Sequence, residues 1–221
     1  MIKILIATVA IFGLTACNAN DKKEEDKGAQ NHVRSNNFDL GKINFRENLN
    51  TILTAQGLKL SDSKSTEQTI MGFSTYSTQS DKLLNFDGVS LAGETKAKKN
   101  QVVFHYQDSD QTIGMFELKI YTEKTRNELL AALKEFSGKP VYEKSSNANA
   151  IELDENGDEV KASERSNKIY RVWENAKTGI SYFWIETLTG KELSLEITAL
   201  NRKDKATKDW IAFRAFDWYK N

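Results

Sequence analysis

The stretch that decides the fold is 101–121, which has the sequence QVVFHYQDSDQTIGMFELKIY. Residues in both arms of this stretch alternate between two faces, one of them strongly apolar. A period of two is typical of β-strands, because successive side chains point to opposite faces of a sheet. The Asp-Ser-Asp sequence at 108–110 predicts a turn between the arms. We therefore predict an antiparallel strand pair at about 101–106 and 114–121.

Amphipathic helices are predicted on both sides of this strand pair. Apolar residues with a period near 3.6 indicate helices at about 44–56, 125–137 and 207–219. Asn44 precedes the first helix as an N-cap, and a glycine follows each of the first two helices. Further strands are predicted at about 72–76, 83–91, 168–174, 180–187 and 192–200.

Together these elements predict an α+β fold. Each strand offers one apolar face and each helix one apolar stripe, so antiparallel sheet and helices bury each other in two layers. The order of one helix followed by strands recurs in the halves 38–121 and 122–221. One interpretation is a tandem α-β4 repeat with an added C-terminal helix. The other is a chance similarity between two helices. The element order resembles the tandem modules of the beta-lactamase inhibitor protein. The halves share Arg46/Arg126, Leu49/Leu129, Leu53/Leu133, Lys64/Lys144 and Ser65/Ser145.

The N-terminus carries a separate motif. A short apolar run follows the lysine at position 3, and it is shorter than the ~20 residues that a membrane-spanning helix needs. The run ends in Leu14-Thr15-Ala16-Cys17, which resembles the lipobox of a bacterial lipoprotein precursor. The resemblance implies that 1–16 is a cleaved signal peptide, that Cys17 carries acyl chains such as palmitate, and that the lipid bilayer is a partner. An ordinary secretory signal with a free cysteine is the alternative.

The residues after the cysteine bear on location. In similar lipoproteins an aspartate directly after the cysteine can retain the protein at the inner membrane. Asn18 stands there instead, so the resemblance implies the outer membrane, on its periplasmic face or at the cell surface. The segment 18–37 has one β-branched residue and no aromatic residue, too little to fold alone. We predict that 17–37 is a lipidated, flexible tether with a root-mean-square span of roughly 25 Å.

The composition excludes several classes of protein. One cysteine cannot form an intrachain disulfide or a multi-cysteine metal site. Lys+Arg and Asp+Glu both number 31, so the electrostatic basis for nucleic-acid binding is missing. We predict no cofactor and no metal. His105 is the one histidine outside the tether, and its place opposite Phe104 and Tyr106 is compatible with an inert, solvent-facing side chain.

The segment 145–166 contains a pattern similar to a calcium-binding loop. Asp154, Asn156 and Asp158 have the spacing of its first ligands, but the glycine and glutamate needed at its sixth and twelfth positions are absent. Asn-Gly at 156–157 is typical of a hairpin turn. We predict a projecting hairpin or a mobile loop rather than an ion site.

Aromatic residues concentrate in two consecutive predicted strands, 168–174 and 180–187. Tyr182 and Trp184 share one face of the second strand, whose other face is also apolar. Cover from within the chain, for example by the C-terminal helix, is one interpretation. The other is an exposed aromatic strip of Trp173, Tyr182 and Trp184 that binds a protein, peptide or glycan.

Two functions from different classes follow. The first is a membrane-anchored envelope lipoprotein that acts as a non-catalytic binding or interaction module. The alternative is an envelope hydrolase that uses a carboxylate pair, for example on glycans. The sequence contains no phosphate loop, dinucleotide fingerprint or His-Glu-x-x-His motif, and no residue is nominated as catalytic. The pattern therefore favours the binding module.

Overall fold

The structure, a computed structural model, describes residues 38–64, 72–153, 159–205, 207 and 219–220. The strands are β1 (Phe73–Thr78), β2 (Asn85–Phe86), β3 (Val89–Ser90), β4 (Gln101–Gln107), β5 (Ile113–Ile120), β6 (Tyr142–Leu153), β7 (Glu159–Glu174), β8 (Ile180–Thr189) and β9 (Glu192–Asn201). The helices are α1 (Leu49–Ala55) and α2 (Glu123–Ser137), with short 3-10 turns at Leu40–Lys42 and Leu60–Asp62.

Seven of these strands form one antiparallel sheet with the order β1-β4-β5-β9-β8-β7-β6, while β2 and β3 form a small separate hairpin. Four of the pairings join strands that are consecutive in the chain: β4 with β5, β6 with β7, β7 with β8, and β8 with β9. The pairing of β5 with β9 is different, because it places Phe116 opposite Ala199. This distant pairing joins the strands of the two predicted halves in one sheet.

The predicted fold class is wrong. Within the described residues the protein is mostly β, with two α-helices beside the seven-stranded sheet, and it is neither a two-layer α+β sandwich nor a tandem α-β4 repeat. The prediction assumed strands with one buried face. Central strands of the sheet instead bury both faces, as His105 in β4 and Glu117 in β5 show with exposed fractions of 4% and 6%.

The two faces of the sheet carry two clusters of apolar side chains. The larger cluster combines sheet residues such as Phe104 and Trp184 with Leu53 of α1 and Leu133 of α2. The smaller cluster lies on the other face, with Tyr142 and Tyr219 packed against it. Its buried members are Phe73, Met115, Val172, Phe183 and Leu200.

Helix α1 begins later than the predicted residue 44. Phe45 has a φ of 66°, in the left-handed region that a right-handed helix excludes. Asn48 is the N-cap in place of Asn44, and its side chain accepts a hydrogen bond of 2.9 Å from the Thr51 N–H. Helix α2 confirms the prediction for 125–137 to within two residues and ends at Gly138, where φ is 78°.

Most predicted strands are confirmed. The strand predicted at 83–91 is instead the β2–β3 hairpin, with Asp87 and Gly88 in its turn. The projecting hairpin predicted at 145–166 forms the distal parts of β6 and β7. In β7, residues before Ser166 pair with β6 but not with β8. The tip at 154–158, with the calcium-like pattern, lies outside the described residues.

The two edges of the sheet differ. At the β1 edge, both backbone hydrogen-bonding groups of Ser77 have partners. Its N–H donates to Ser63 Oγ at 3.0 Å, and its carbonyl accepts from the Lys64 N–H at 2.8 Å. At the β6 edge, no strand pairs with the outer side in the part of the chain that the structure describes. Among the described strands, the β6 edge is therefore the open one.

The N-terminal predictions lie outside the described residues. These are the signal peptide 1–16, the lipid anchor Cys17 and the tether to residue 37. Most of the helix predicted at 207–219 also lies outside them. No helix in the described ranges is long and apolar enough to cross a membrane.

Candidate functional site

The aromatic residues predicted to form an exposed strip are buried. Trp173, Tyr182 and Trp184 have exposed fractions of 1%, 2% and 0%. The Trp173 indole Nε1 donates a hydrogen bond of 3.1 Å to the Gly138 carbonyl at the end of α2. The ring centroids of the two tryptophans lie 6.1 Å apart in an edge-to-face contact. These rings form core packing, so cover from within the chain is the interpretation that the structure supports.

Tyr182 shows where that cover comes from. Phe86 of the β2–β3 hairpin and Phe136 of α2 pack edge-to-face on its ring, at centroid distances of 5.7 and 6.5 Å. Burial raises the pKa of the Tyr182 hydroxyl, and the carboxylates of Asp39 and Asp87 raise it further. The small hairpin and the second helix cover this face, in the place that the prediction gave to the C-terminal helix.

A buried ion cluster lies beside these aromatics. The Glu186 carboxylate in β8 accepts hydrogen bonds from Arg126 of α2 at 3.0 Å, from Arg171 of β7 at 3.4 Å and from the Trp184 indole at 3.1 Å. Arg171 also donates from Nε to Glu143 of β6 at 2.9 Å. The cluster thus ties the second helix to three adjacent strands.

The geometry of this cluster indicates a structural role. Glu186 has three donors directed at it, and both Glu186 and Glu143 bind the guanidinium of Arg171. A glycosidase pair instead needs one carboxyl that delivers a proton and one that faces the sugar. Three cavities lined by described residues contain at most one acidic side chain each, Glu128 or Glu192. No observation on these residues favours the hydrolase.

His105 differs from the solvent-facing position considered for it. Its exposed fraction is 4%, and its Nε2 lies 3.5 Å from the Glu117 carboxylate on the neighbouring strand β5. Glu117 is also buried. Both residues belong to the second face of the sheet, which alternation alone assigns to solvent.

The exposed surface with binding character lies at the open edge of the sheet. We define the β6 docking edge as the outer side of β6 together with Val141 and the groove beside it. Val141 and Phe136 are the large apolar side chains that stay exposed among the described residues, at 59% and 45%. Phe136 lies in α2 and packs on Phe86 and Tyr182, whereas Val141 directly precedes the first residue of β6. Apolar side chains in such a place are suitable contacts for a partner.

The groove at this edge has a volume of about 360 Å³. Tyr142, Lys144 and Ser146 line it from alternate positions of β6, and Tyr170 lines it from β7, where it pairs with Lys144. Two aromatic rings and an ammonium group therefore share one surface. Tyrosine is suited to such sites because its ring is apolar and its hydroxyl forms hydrogen bonds.

Sequence reasoning missed this surface. Tyr170 lies in the aromatic strand predicted at 168–174, but the predicted strip consists of Trp173, Tyr182 and Trp184. The available signal was the row of Tyr142, Lys144 and Ser146 at a period of two, which starts two residues after the single proline. In the described ranges, no group of three or more His, Cys, Asp or Glu residues could hold a metal ion.

Comparisons with known proteins leave the family open. No family model matches the sequence, and no curated protein or solved structure matches it either. The function is therefore inferred from the chain's own residues.

The ion cluster generates a stability prediction. Glu186→Ala should lower the free energy of unfolding by about 3 kcal/mol, because it removes the buried carboxylate that Arg126 and Arg171 share and leaves Arg171 with the half-exposed Glu143 as its anion. Glu128→Ala is the control, since its 4.0 Å pair with Lys124 is exposed and should contribute less than about 0.5 kcal/mol. Urea unfolding followed by circular dichroism measures both. Equal midpoints for the two variants would show that the cluster does not stabilise the fold.

Proposed function

We propose that the protein is a membrane-anchored envelope lipoprotein of the outer membrane that acts as a non-catalytic binding module, and that its ligand is an extended segment of a partner protein. The observation that carries the proposal is the β6 docking edge, an open strand with a groove and an exposed apolar residue beside it.

The difference between the two sheet edges supports this site. An unpaired edge strand presents a row of peptide groups that can pair with another chain, so proteins usually cover or interrupt such edges. The segment at 63–64 covers the β1 edge at Ser77. At the opposite edge of the sheet, residues 143–145 and 147 of β6 are exposed, and the strand is twelve residues long. A long edge strand with exposed residues is suited to strand addition.

The groove provides the selectivity that backbone pairing lacks. In strand addition, main-chain hydrogen bonds give affinity and pockets for alternate side chains give specificity. Tyr142 and Tyr170 would contact an apolar or aromatic side chain of the bound segment, while Lys144 would favour an acidic residue two positions away on the same face of the added strand. The expected ligand is therefore an extended segment with an apolar and an acidic residue two positions apart.

The proposed anchor gives this binding module its location. Each buried methylene of an acyl chain adds about 0.8 kcal/mol of membrane affinity, so two or three chains on Cys17 hold a protein stably. The tether of 18–37 would let the folded part reach a partner near the membrane, on the periplasmic face or at the cell surface.

The docking edge is tested by site-specific photo-cross-linking in cells that make the full chain. A cross-linking amino acid at Ser145 should give one discrete protein adduct, and the same amino acid at Lys177, an exposed position in the β7–β8 turn, should give none. Adding Val141→Asp should weaken the adduct at Ser145, because it places a charge at the apolar contact. Electrophoresis and mass spectrometry identify the adduct and its cross-linked segment.

The cross-linked segment, made as a peptide, should slow amide hydrogen exchange at 143–147 of the full chain. Adducts at both positions, or none at Ser145, would contradict the docking edge. An adduct with the mass of two copies of this chain would show that the edge binds a second copy of the chain instead of a partner protein.

The anchor is tested by labelling with a palmitate analogue. Cys17→Ser should abolish the label and move the protein from the membrane fraction to the soluble fraction, because the chain has no second cysteine to acylate. Equal labelling and equal fractionation of the variant and the unchanged protein would rule out a lipid anchor at this residue.

A further inference from the structure

A second cavity lies away from the β6 docking edge, at the end of the sheet where β5 ends and β8 turns into β9. Its volume is about 280 Å³. We call it the basic pocket, because three of its side chains are lysines. The lining residues are Thr95, Lys96, Ala97, Lys98, Tyr121, Lys191, Glu192 and Leu193.

The loop that carries two of these lysines is fixed by its own hydrogen bonds. The Thr95 hydroxyl accepts from the N–H groups of Ala97 at 3.3 Å and Lys98 at 2.9 Å. The Thr95 N–H donates to the Lys98 carbonyl at 2.7 Å. A turn closed at three points holds the backbone of Lys96 and Lys98 in one conformation, although their side chains are exposed.

A single buried asparagine connects this loop to the aromatic wall of the pocket. Asn100 has an exposed fraction of 0%, and its backbone N–H donates to Gly93 at 2.8 Å. Its side chain donates to the Leu91 carbonyl at 3.0 Å and accepts from the Tyr121 N–H at 2.8 Å. Buried polar groups that are fully satisfied make a site rigid. The loop and Tyr121 are therefore preorganised relative to each other.

The pocket combines positive charge with an aromatic surface. The Lys98 ammonium lies 5.4 Å from the centroid of the Tyr121 ring, a cation–π distance. Leu193, which also lines the pocket, is buried. Lys191 comes from another part of the chain, next to Gly190 in the β8–β9 turn, where φ is 58°. Two turns from distant parts of the chain thus bring their lysines to one cavity.

We propose that the basic pocket binds a phosphate monoester. Three lysines and Glu192 give the lining a formal charge of 3 − 1 = +2. A phosphate monoester carries about −1.5 to −2 at neutral pH, which matches that charge. The Tyr121 ring and Leu193 offer apolar contact to the organic group that bears the phosphate. The site shares no residue with the β6 docking edge, so it stands independently of the proposed function.

Two sources could supply this chemistry, a soluble phosphate ester or a lipid headgroup, and two probes distinguish them. Glycerol 3-phosphate represents the first, and dihexanoyl phosphatidic acid represents the second. Each is titrated into the full chain in detergent, and amide chemical shifts of Lys98 and Tyr121 are followed by NMR. Saturable shifts with either probe are expected. The probe that binds more tightly identifies the source.

Matched triple variants test whether the pocket or the overall charge is responsible. Lys96→Gln, Lys98→Gln and Lys191→Gln together should raise the dissociation constant about tenfold or more, because the three attractive charges beside the ligand are lost. The control removes three lysines that are exposed elsewhere, by Lys134→Gln, Lys139→Gln and Lys177→Gln. It should change the constant by less than about twofold, since distant charges are screened.

Three results would overturn the proposal. One is the absence of saturable shifts with both probes. Another is an equal loss of binding in the two triple variants, which would show a general effect of charge. The third is saturable binding by the pocket variant with the unchanged constant.

Discussion

The pairing of β5 with β9 is the interaction on which the rest of the structure depends. The other pairings join strands close in sequence, whereas this one joins residues about 80 positions apart, such as Leu118 and Ile197. Without it the chain would consist of a β1-β4-β5 piece and a β6-β7-β8-β9 piece, each with an additional open edge. Pairing closes both edges and lets α1 and α2 contribute to one apolar cluster. Local hairpins can form early, while such a distant pairing must first offset the entropy of closing a long loop.

A continuous sheet buried on both faces has consequences for its polar residues. Glu186 on one face requires two arginines and an indole N–H, and His105 on the other lies beside Glu117. Since a buried charge without a partner is costly, these contacts restrict which residues the core accepts. They also leave the centre of the sheet unavailable for ligands. The two proposed binding surfaces accordingly lie at its periphery, one along the outer strand β6 and one beside the turns near Tyr121.

Local structure was predictable where one short-range pattern decides it. The alternation around 101–121, the helix at 125–137 and the hairpin at 145–166 were found in this way. The start of α1 was predicted too early, because the spacing of apolar residues does not reveal the positive φ of Phe45. The predicted fold class was wrong, because a period of two does not reveal which strands pair at a distance. Nor does it reveal that polar residues such as His105 lie on a buried face. For the same reason Tyr182 and Trp184 were assigned to a binding strip, while the open edge at β6 was overlooked.

Disulfide mapping tests the β5–β9 pairing most directly. Lys119 and Glu196 are Cα partners across these strands, and partners at this spacing can be joined by a disulfide. In a Cys17→Ser background, cysteines at 119 and 196 should oxidise readily to an intramolecular disulfide, whereas cysteines at 119 and 192, displaced along β9, should stay reduced under the same conditions. Equal oxidation of the two pairs, or oxidation of the displaced pair alone, would contradict the pairing and the single sheet that it creates.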